Sequence, residues 1–208
     1  MKRYGAQRER TVSPYTLDVE MIIIRSMVNA AFDADKVDGR VLKVFRKIGT
    51  IATTEDKTRK RGVTIDEYRK LLDVAPGYLR AMLIIAMNTG MRHSEIRLLQ
   101  WSFIDRKAGL IRIPATVTKN KRPRVIPLSQ QVRDVLDSLP RRLHGYVITY
   151  KGKPLTGLAG VKGSMKTACE DAELPCGKKT DNGIVFHDLR RSAKTNMVKA
   201  GVTRFTAT

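Results

Sequence analysis

Between Gly77 and Leu128 the apolar residues change period, and that change constrains the fold more than any other feature of the chain. From Gly77 to Asn88 the run LRAMLIIAM is apolar on most sides, the pattern of a buried helix. A turn follows at Thr89 and Gly90, and HSEIRLL then predicts a further helix beginning beside Arg92. Next, GLIRIPATVTKNKRPRVIPL contains two β-branched runs, Leu110 to Pro114 and Arg124 to Leu128, separated by a cationic turn from Lys119 to Pro123. Such a pattern predicts a hairpin. Upstream, Thr64 and Glu67 have capping-box spacing ahead of a helix carrying Tyr68, Leu71 and Leu72. Downstream, Ser129 is placed to cap a helix through Val132, Val135 and Leu136. Residues 146–150 predict a short strand, and residues 157–172 and 187–200 predict two helices. The expected class is mainly α with a small antiparallel β-sheet, without internal repeats.

The N-terminal part reads differently. Residues 1–13 are expected to be a polar tail. Ser13 and Pro14 make a helix start, and Leu17, Met21, Ile24, Met27, Val28 and Ala31 recur at helical spacing behind it. A turn at Val37 to Arg40 leads to a short helix over 41–48. One or two helices cannot bury a core alone, so residues 1–52 are expected to be the last portion of a helical domain. The stretch 53–62, TTEDKTRKRG, reads as a charged linker whose Arg59, Lys60 and Arg61 can follow a polyanion. The second domain then covers 63–208.

Charge narrows the partner. Forty Lys and Arg against twenty Asp and Glu give a formal net charge of +20. An excess of that size raises self-repulsion and points to a polyanion, most simply nucleic acid. Charge alone does not separate DNA from RNA. An RNA binder is expected to offer aromatic stacking platforms, and aromatic residues are 6% of this chain. Cys169 and Cys176 are too few for a zinc site and read as reduced thiols, so no metal is expected. The apolar run at Met21 to Ile24 is flanked by Glu20 and Arg25, and the N-terminus MKRYGAQRERT is polar, so neither a membrane span nor a signal peptide is expected. A cytoplasmic, DNA-associated protein is the expectation.

Three segments carry chemistry. NTGMRHSEIRLLQW puts Arg92 at the mouth of a helix after a Gly turn, with Glu95 one turn on to brace it. TKNKRPRVIPL puts Lys119 near a hairpin tip, among Lys121, Arg122 and Arg124. FHDLRRS places His187 and Arg190 three apart, on one face of a helix, with Phe186 and Leu189 free to point inward. Each box alone is weak. In this order the set resembles the catalytic domain of the tyrosine recombinases, the phage-integrase type, over roughly residues 63–204. Residues 15–48 resemble the last helical part of that family's core-binding domain.

The resemblance implies a DNA breaking-rejoining fold and site-specific recombination by phosphotyrosine transesterification. It assigns catalysis to Arg92, Lys119, His187 and Arg190, with Glu95 in support and Lys121 as the alternative hairpin lysine. Arg59, Lys60, Arg61, Lys121, Arg122, Arg124 and Arg191 are the expected DNA contacts. Two arginines can clamp the nonbridging oxygens of one phosphodiester through forked hydrogen bonds. Lys119 would protonate the departing 5′ oxygen, and His187 would position or deprotonate the attacking hydroxyl. A phosphotyrosine link conserves bond energy, so no cofactor is implied. The implied partners are double-stranded DNA and further copies of itself or a full-length recombinase.

One departure stands out. In the family a Gly-His or Gly-Trp box and then the nucleophilic Tyr follow the second Arg. Here Tyr4, Tyr15, Tyr68, Tyr78, Tyr146 and Tyr150 all precede His187. The expectation is a domain incomplete at its C-terminus, from a prophage remnant or truncated reading frame, with no nucleophile of its own. The alternative is a catalytically inactive DNA-binding fragment that interferes with a full-length recombinase. A type IB topoisomerase relative would use a similar set of residues; the Gly-Met-Arg-His-Ser-Glu-Ile and Ile-Pro-Leu details favour the integrase.

Overall fold

The structure, a computed structural model, describes residues 2–8, 11–52, 61–141, 145–155 and 159–203. Two compact units divide it, residues 1–60 and 61–208.

In the first unit, α1 (Lys2–Arg8), α2 (Pro14–Asp33) and α3 (Gly39–Arg46) follow one another. Ser13 caps α2 through its hydroxyl, which accepts from Thr16 N at 3.2 Å, with Pro14 in the first turn where its missing N–H costs nothing. The expected polar tail is a helix over Lys2–Arg8. Tyr4 Oη donates to Glu20 Oε2 at 2.9 Å and Arg8 Nε donates to the same oxygen at 3.1 Å. The partner that organises these residues lies on α2, outside any local window. Asp18 of α2 is buried, and its carboxylate accepts from Ile51 N at 2.7 Å and Ala52 N at 3.1 Å. The linker stretch 53–60 lies outside the described residues.

The second unit holds the large core. Its helices α4 (Ile65–Val74), α5 (Gly77–Thr89) and α6 (His93–Arg97) lead into a three-stranded antiparallel sheet, β1 (Ile104–Asp105), β2 (Leu110–Ile113) and β3 (Arg124–Pro127). Then come α7 (Gln130–Ser138), the hairpin β4 (Thr149–Tyr150) and β5 (Lys153–Pro154), α8 (Ala159–Asp171) and α9 (Phe186–Lys199). The strand expected over 146–150 is thus confined to its last two residues; Lys151 and Gly152, with φ of 48° and 78°, form its tight turn. The capping box at Thr64 is complete: Thr64 Oγ1 accepts from Glu67 N at 3.2 Å and Glu67 Oε2 accepts from Thr64 N at 2.8 Å.

Helix α5 is the axis of this unit. It buries Leu79, Ala81, Met82, Leu83, Ile85, Ala86 and Thr89 and packs against α4, α6, α7, α8 and α9. A fully buried Leu, Ile or Met contributes about 1.5–3 kcal/mol through area removed from water, so α5 alone accounts for much of the core. It ends at Gly90, whose φ of 60° is left-handed and whose N–H closes the last turn onto Ala86 O at 3.0 Å. Ala193 Cβ of α9 stands 3.7 Å from where a Gly90 Cβ would be. The chain therefore reverses tightly against α9 and delivers Arg92 to the start of α6.

In the sheet Ile111 opposes Ile126 and Ile113 opposes Arg124. Opposed residues of an antiparallel pair share a face, as do residues two apart on one strand. Arg124 thus lies on the inward face with Ile126 and is half-buried, whereas Val125 is exposed.

Candidate phosphate-binding site

The turn at Gly90 places Arg92 immediately before α6, and Glu95 folds back onto it. Glu95 Oε2 accepts from Arg92 N at 2.8 Å and Glu95 Oε1 from Arg92 Nη1 at 2.9 Å. Arg124, arriving from β3, donates through Nη2 to Glu95 Oε2 at 3.2 Å. The Glu95 side chain is 0% exposed. One buried carboxylate therefore ties together guanidiniums from α6's threshold and from the sheet. Arg190, buried on α9, donates through Nη1 to the carbonyl of Gly90, which joins α9 to the same turn.

The electrostatics make one cluster of these groups. Burial pushes the Arg190 guanidinium down to about 10, with Arg124 and Arg92 adding to the effect and Glu95 opposing it. Arg124 is lowered by burial and by Arg92, again against Glu95. Lys194, one helical turn beyond Arg190, is half-buried and is also lowered, by burial and then by Arg190, Arg92 and Arg124. Cations held this close with Glu95 as their shared carboxylate leave a local excess of positive charge, which an anion would neutralise.

His187 sits on the rim. The residue is largely exposed, yet partial burial lowers its imidazole below the ordinary value, as do Arg191, Arg190 and Arg92, while Asp188 acts the other way. Asp188 Oδ2 accepts from Val185 N at 2.9 Å at the start of α9. Burial and the neighbouring guanidiniums thus hold His187 toward its neutral form. Since the unfolded chain binds this proton more tightly than the folded one, stability falls as pH drops from 6.5 toward the folded midpoint. A proton-NMR titration, with the resonance assigned from His187→Gln, is expected to give a midpoint below 6.5 in the free protein. Adding inorganic phosphate should move it upward, because an anion offsets the guanidiniums. A midpoint at or above 6.5 without phosphate would contradict the clustering.

The remaining expected site residues fall elsewhere. Lys119 is exposed on the segment joining β2 to β3 and makes no hydrogen bond or ion pair with the Glu95 cluster. That segment is ordered from within: Thr118 Oγ1 accepts from Arg122 N at 3.1 Å and donates to Arg122 O at 2.8 Å. Lys121 follows with φ of 51°, and both Lys121 and Arg122 are exposed. Arg61 is turned inward, with Nε on Asn182 O at 3.0 Å and Nη2 on Glu67 Oε1 at 2.6 Å. Arg191 is half-buried beside His187. Arg59 and Lys60 lie outside the described residues. Lys194 belongs to none of the three sequence segments; its spacing of four from Arg190 places both on one helix face.

Among the described residues no group of His, Cys, Asp or Glu could hold a metal ion. Cys169 is buried and its thiol is pushed up to about 12, by burial first and then by the neighbouring Cys176; neither forms a disulfide.

A mostly helical unit with small antiparallel sheets, gathering Arg92, Arg124 and Arg190 around one buried carboxylate, is the catalytic domain of a tyrosine recombinase. The chain belongs to the phage integrase family, whose model matches residues 61–205. It is 32% identical over 117 residues to a shufflon-specific DNA recombinase of Escherichia coli, covering 56% of this chain and 27% of that protein. It is 26% identical over 168 residues to the integrase of Salmonella phage P22, covering 78% of this chain and 43% of that one. The fold is that of the lambda integrase in a dimer bound to a COC′ core site, with a TM-score of 0.78, 17% identity, and 97% of this chain covering 57% of that one. The matched stretches thus span between about a quarter and somewhat under half of the curated relatives' length.

Proposed function

We propose that this chain binds duplex DNA and presents one phosphodiester to the Arg92–Arg124–Arg190 cluster, as the phosphate-handling part of a site-specific recombinase. The observation that carries this reading is the buried Glu95 carboxylate, which holds Arg92 and Arg124 beside Arg190 while supplying too little negative charge to balance them. Arg92 and Arg190 would clamp the nonbridging oxygens, where charge grows as a nucleophile adds to phosphorus. Removing one such donor typically costs on the order of 3 kcal/mol of transition-state stabilisation. His187, held toward its neutral form, would take the proton of the attacking hydroxyl. Lys119 would have to come in with its exposed loop to protonate the leaving 5′ oxygen. The division of labour at 53–62 between a core-binding portion and the catalytic domain belongs to the same proposal, as does a DNA-associated, cytoplasmic location; no helix among the described residues is long and apolar enough to cross a membrane.

A second reading has its own support: the 208-residue polypeptide binds without cutting. Tyr68 is buried on α4, and burial pushes its phenol up to about 12, away from the phenolate a nucleophile needs. Tyr78 is held by Ser164 and packs its ring 5.0 Å from that of Tyr150. A suicide-substrate assay beside a gel shift separates the two readings. We expect a shifted duplex and no covalent adduct from this polypeptide; an adduct would show that one of its six tyrosines is the nucleophile. Affinity should also collapse with salt. If six to ten phosphates are neutralised, binding falls by about 10³- to 10⁵-fold between 50 and 200 mM salt. A flat response would rule out the DNA reading altogether.

A further inference from the structure

Resting on the phosphate-binding reading above, we infer that Lys194 is an additional phosphate-binding residue of this site, lying beside Arg190 and contacting the bound DNA backbone directly. Lys194 stands on the same face of α9 as Arg190, and its Cγ is 4.0 Å from where a Gly90 Cβ would lie, so its stem runs along the turn whose carbonyl holds the Arg190 guanidinium. Lys194 as a residue is half-buried, and among the described residues its ammonium has no hydrogen bond and no ion pair. The charged groups that lower it are cations, Arg190, Arg92 and Arg124. Glu95, the carboxylate of the cluster, is already occupied by Arg92 and Arg124.

A half-buried lysine among three guanidiniums costs stability in the free protein, because burial and like charge both oppose its charged form. A side chain kept for packing alone would be better served there by an apolar residue of the same length. An anion at the cluster reverses the balance, since the same four cations then attract one shared partner. A lysine also differs from the arginines in what it offers: a compact charge with rotatable donors rather than a planar fork. It suits a single phosphate oxygen, of the clamped phosphodiester or of its neighbour along the strand.

The test compares wild type, Lys194→Met and Lys194→Arg by fluorescence anisotropy on one duplex over a salt series, with melting temperatures recorded without DNA. Lys194→Met should bind about tenfold more weakly at 0.1 M salt and lower the slope of log affinity against log salt by about 0.9, the loss of one phosphate contact. Its melting temperature should be unchanged or higher. Lys194→Arg, which keeps the charge, should keep the slope. An unchanged slope for Lys194→Met overturns the inference while leaving the DNA reading intact, as does a weakened Lys194→Met that melts below wild type and is matched by an equally weakened Lys194→Arg. A wild type that does not bind duplex DNA defeats the underlying reading, and this inference with it.

Discussion

Glu95→Gln is expected to lower the melting temperature of the protein by roughly 6–12 °C and to make that loss depend on added oxyanion. Glu95 is fully buried and both its oxygens are used, Oε1 by Arg92 and Oε2 by the Arg92 amide and Arg124. Glutamine has the same shape but one acceptor oxygen, so its amide nitrogen must face a donor. The substitution also strips the shared anion from half-buried guanidiniums. Breaking a buried ion pair from one side costs about 3–5 kcal/mol, against a total of about 5–15 for a domain. At about 2–4 °C per kcal/mol for a unit of this size, the lower end of that range gives the shift stated. The oxyanion arm is the more telling one. Sulfate or phosphate seated among Arg92, Arg124 and Arg190 would replace the missing charge. Thermal unfolding in sulfate against chloride at equal ionic strength should therefore stabilise Glu95→Gln more than wild type. A variant that melts within a degree of wild type would show that the carboxylate does not hold the cluster together.

How far the sequence could be read depended on where each partner lies. Elements announced by their own neighbours were legible: Ser13 and Pro14 opening α2, Thr64 with Glu67 opening α4, Gly90 closing α5, and the β-branched runs that pair as β2 and β3. Elements made by distant partners were not. Helix α1 is organised by Glu20, and β1 is a two-residue strand defined by its pairing with Leu110 and Ile111. The site divides the same way. Spacing on a helix set Glu95 behind Arg92 and put His187 near Arg190, since three residues make almost one turn. The hairpin pattern makes Arg124 one of several cations and says nothing of its partner; the β2–β3 register turns it inward onto Glu95, and register cannot be counted from sequence when the joining loop is long. Lys194 shares a helix face with Arg190, which its spacing shows, but its place against the Gly90 turn and beside Arg92, about a hundred residues upstream, comes only from the fold.

Arg190→Met is expected to weaken duplex binding by roughly 10- to 100-fold at 0.1 M salt, the largest loss among single cation removals. A hydrogen bond to a charged group is worth about 1.5–3 kcal/mol, and each 1.4 kcal/mol is tenfold in affinity. Arg190 is buried, so its charge acts through protein more than through water and is screened less by salt than a surface lysine. It also holds the turn that presents Arg92, through its bond to the Gly90 carbonyl, so its loss reaches a second phosphate ligand. Arg190→Lys should recover little, because an ammonium cannot hold the Gly90 carbonyl and a phosphate in the same fork. Lys166→Met serves as the comparator: Lys166 is exposed and paired with Glu170 at 3.5 Å on α8, and its removal should change affinity less than about twofold. Circular dichroism and melting curves check that Arg190→Met stays folded; inorganic phosphate should raise the melting temperature of wild type and leave that of a folded Arg190→Met unmoved. Equal losses of affinity for Lys166→Met and Arg190→Met would mean that binding follows total charge alone, with no dedicated place for a phosphate at the Gly90 turn.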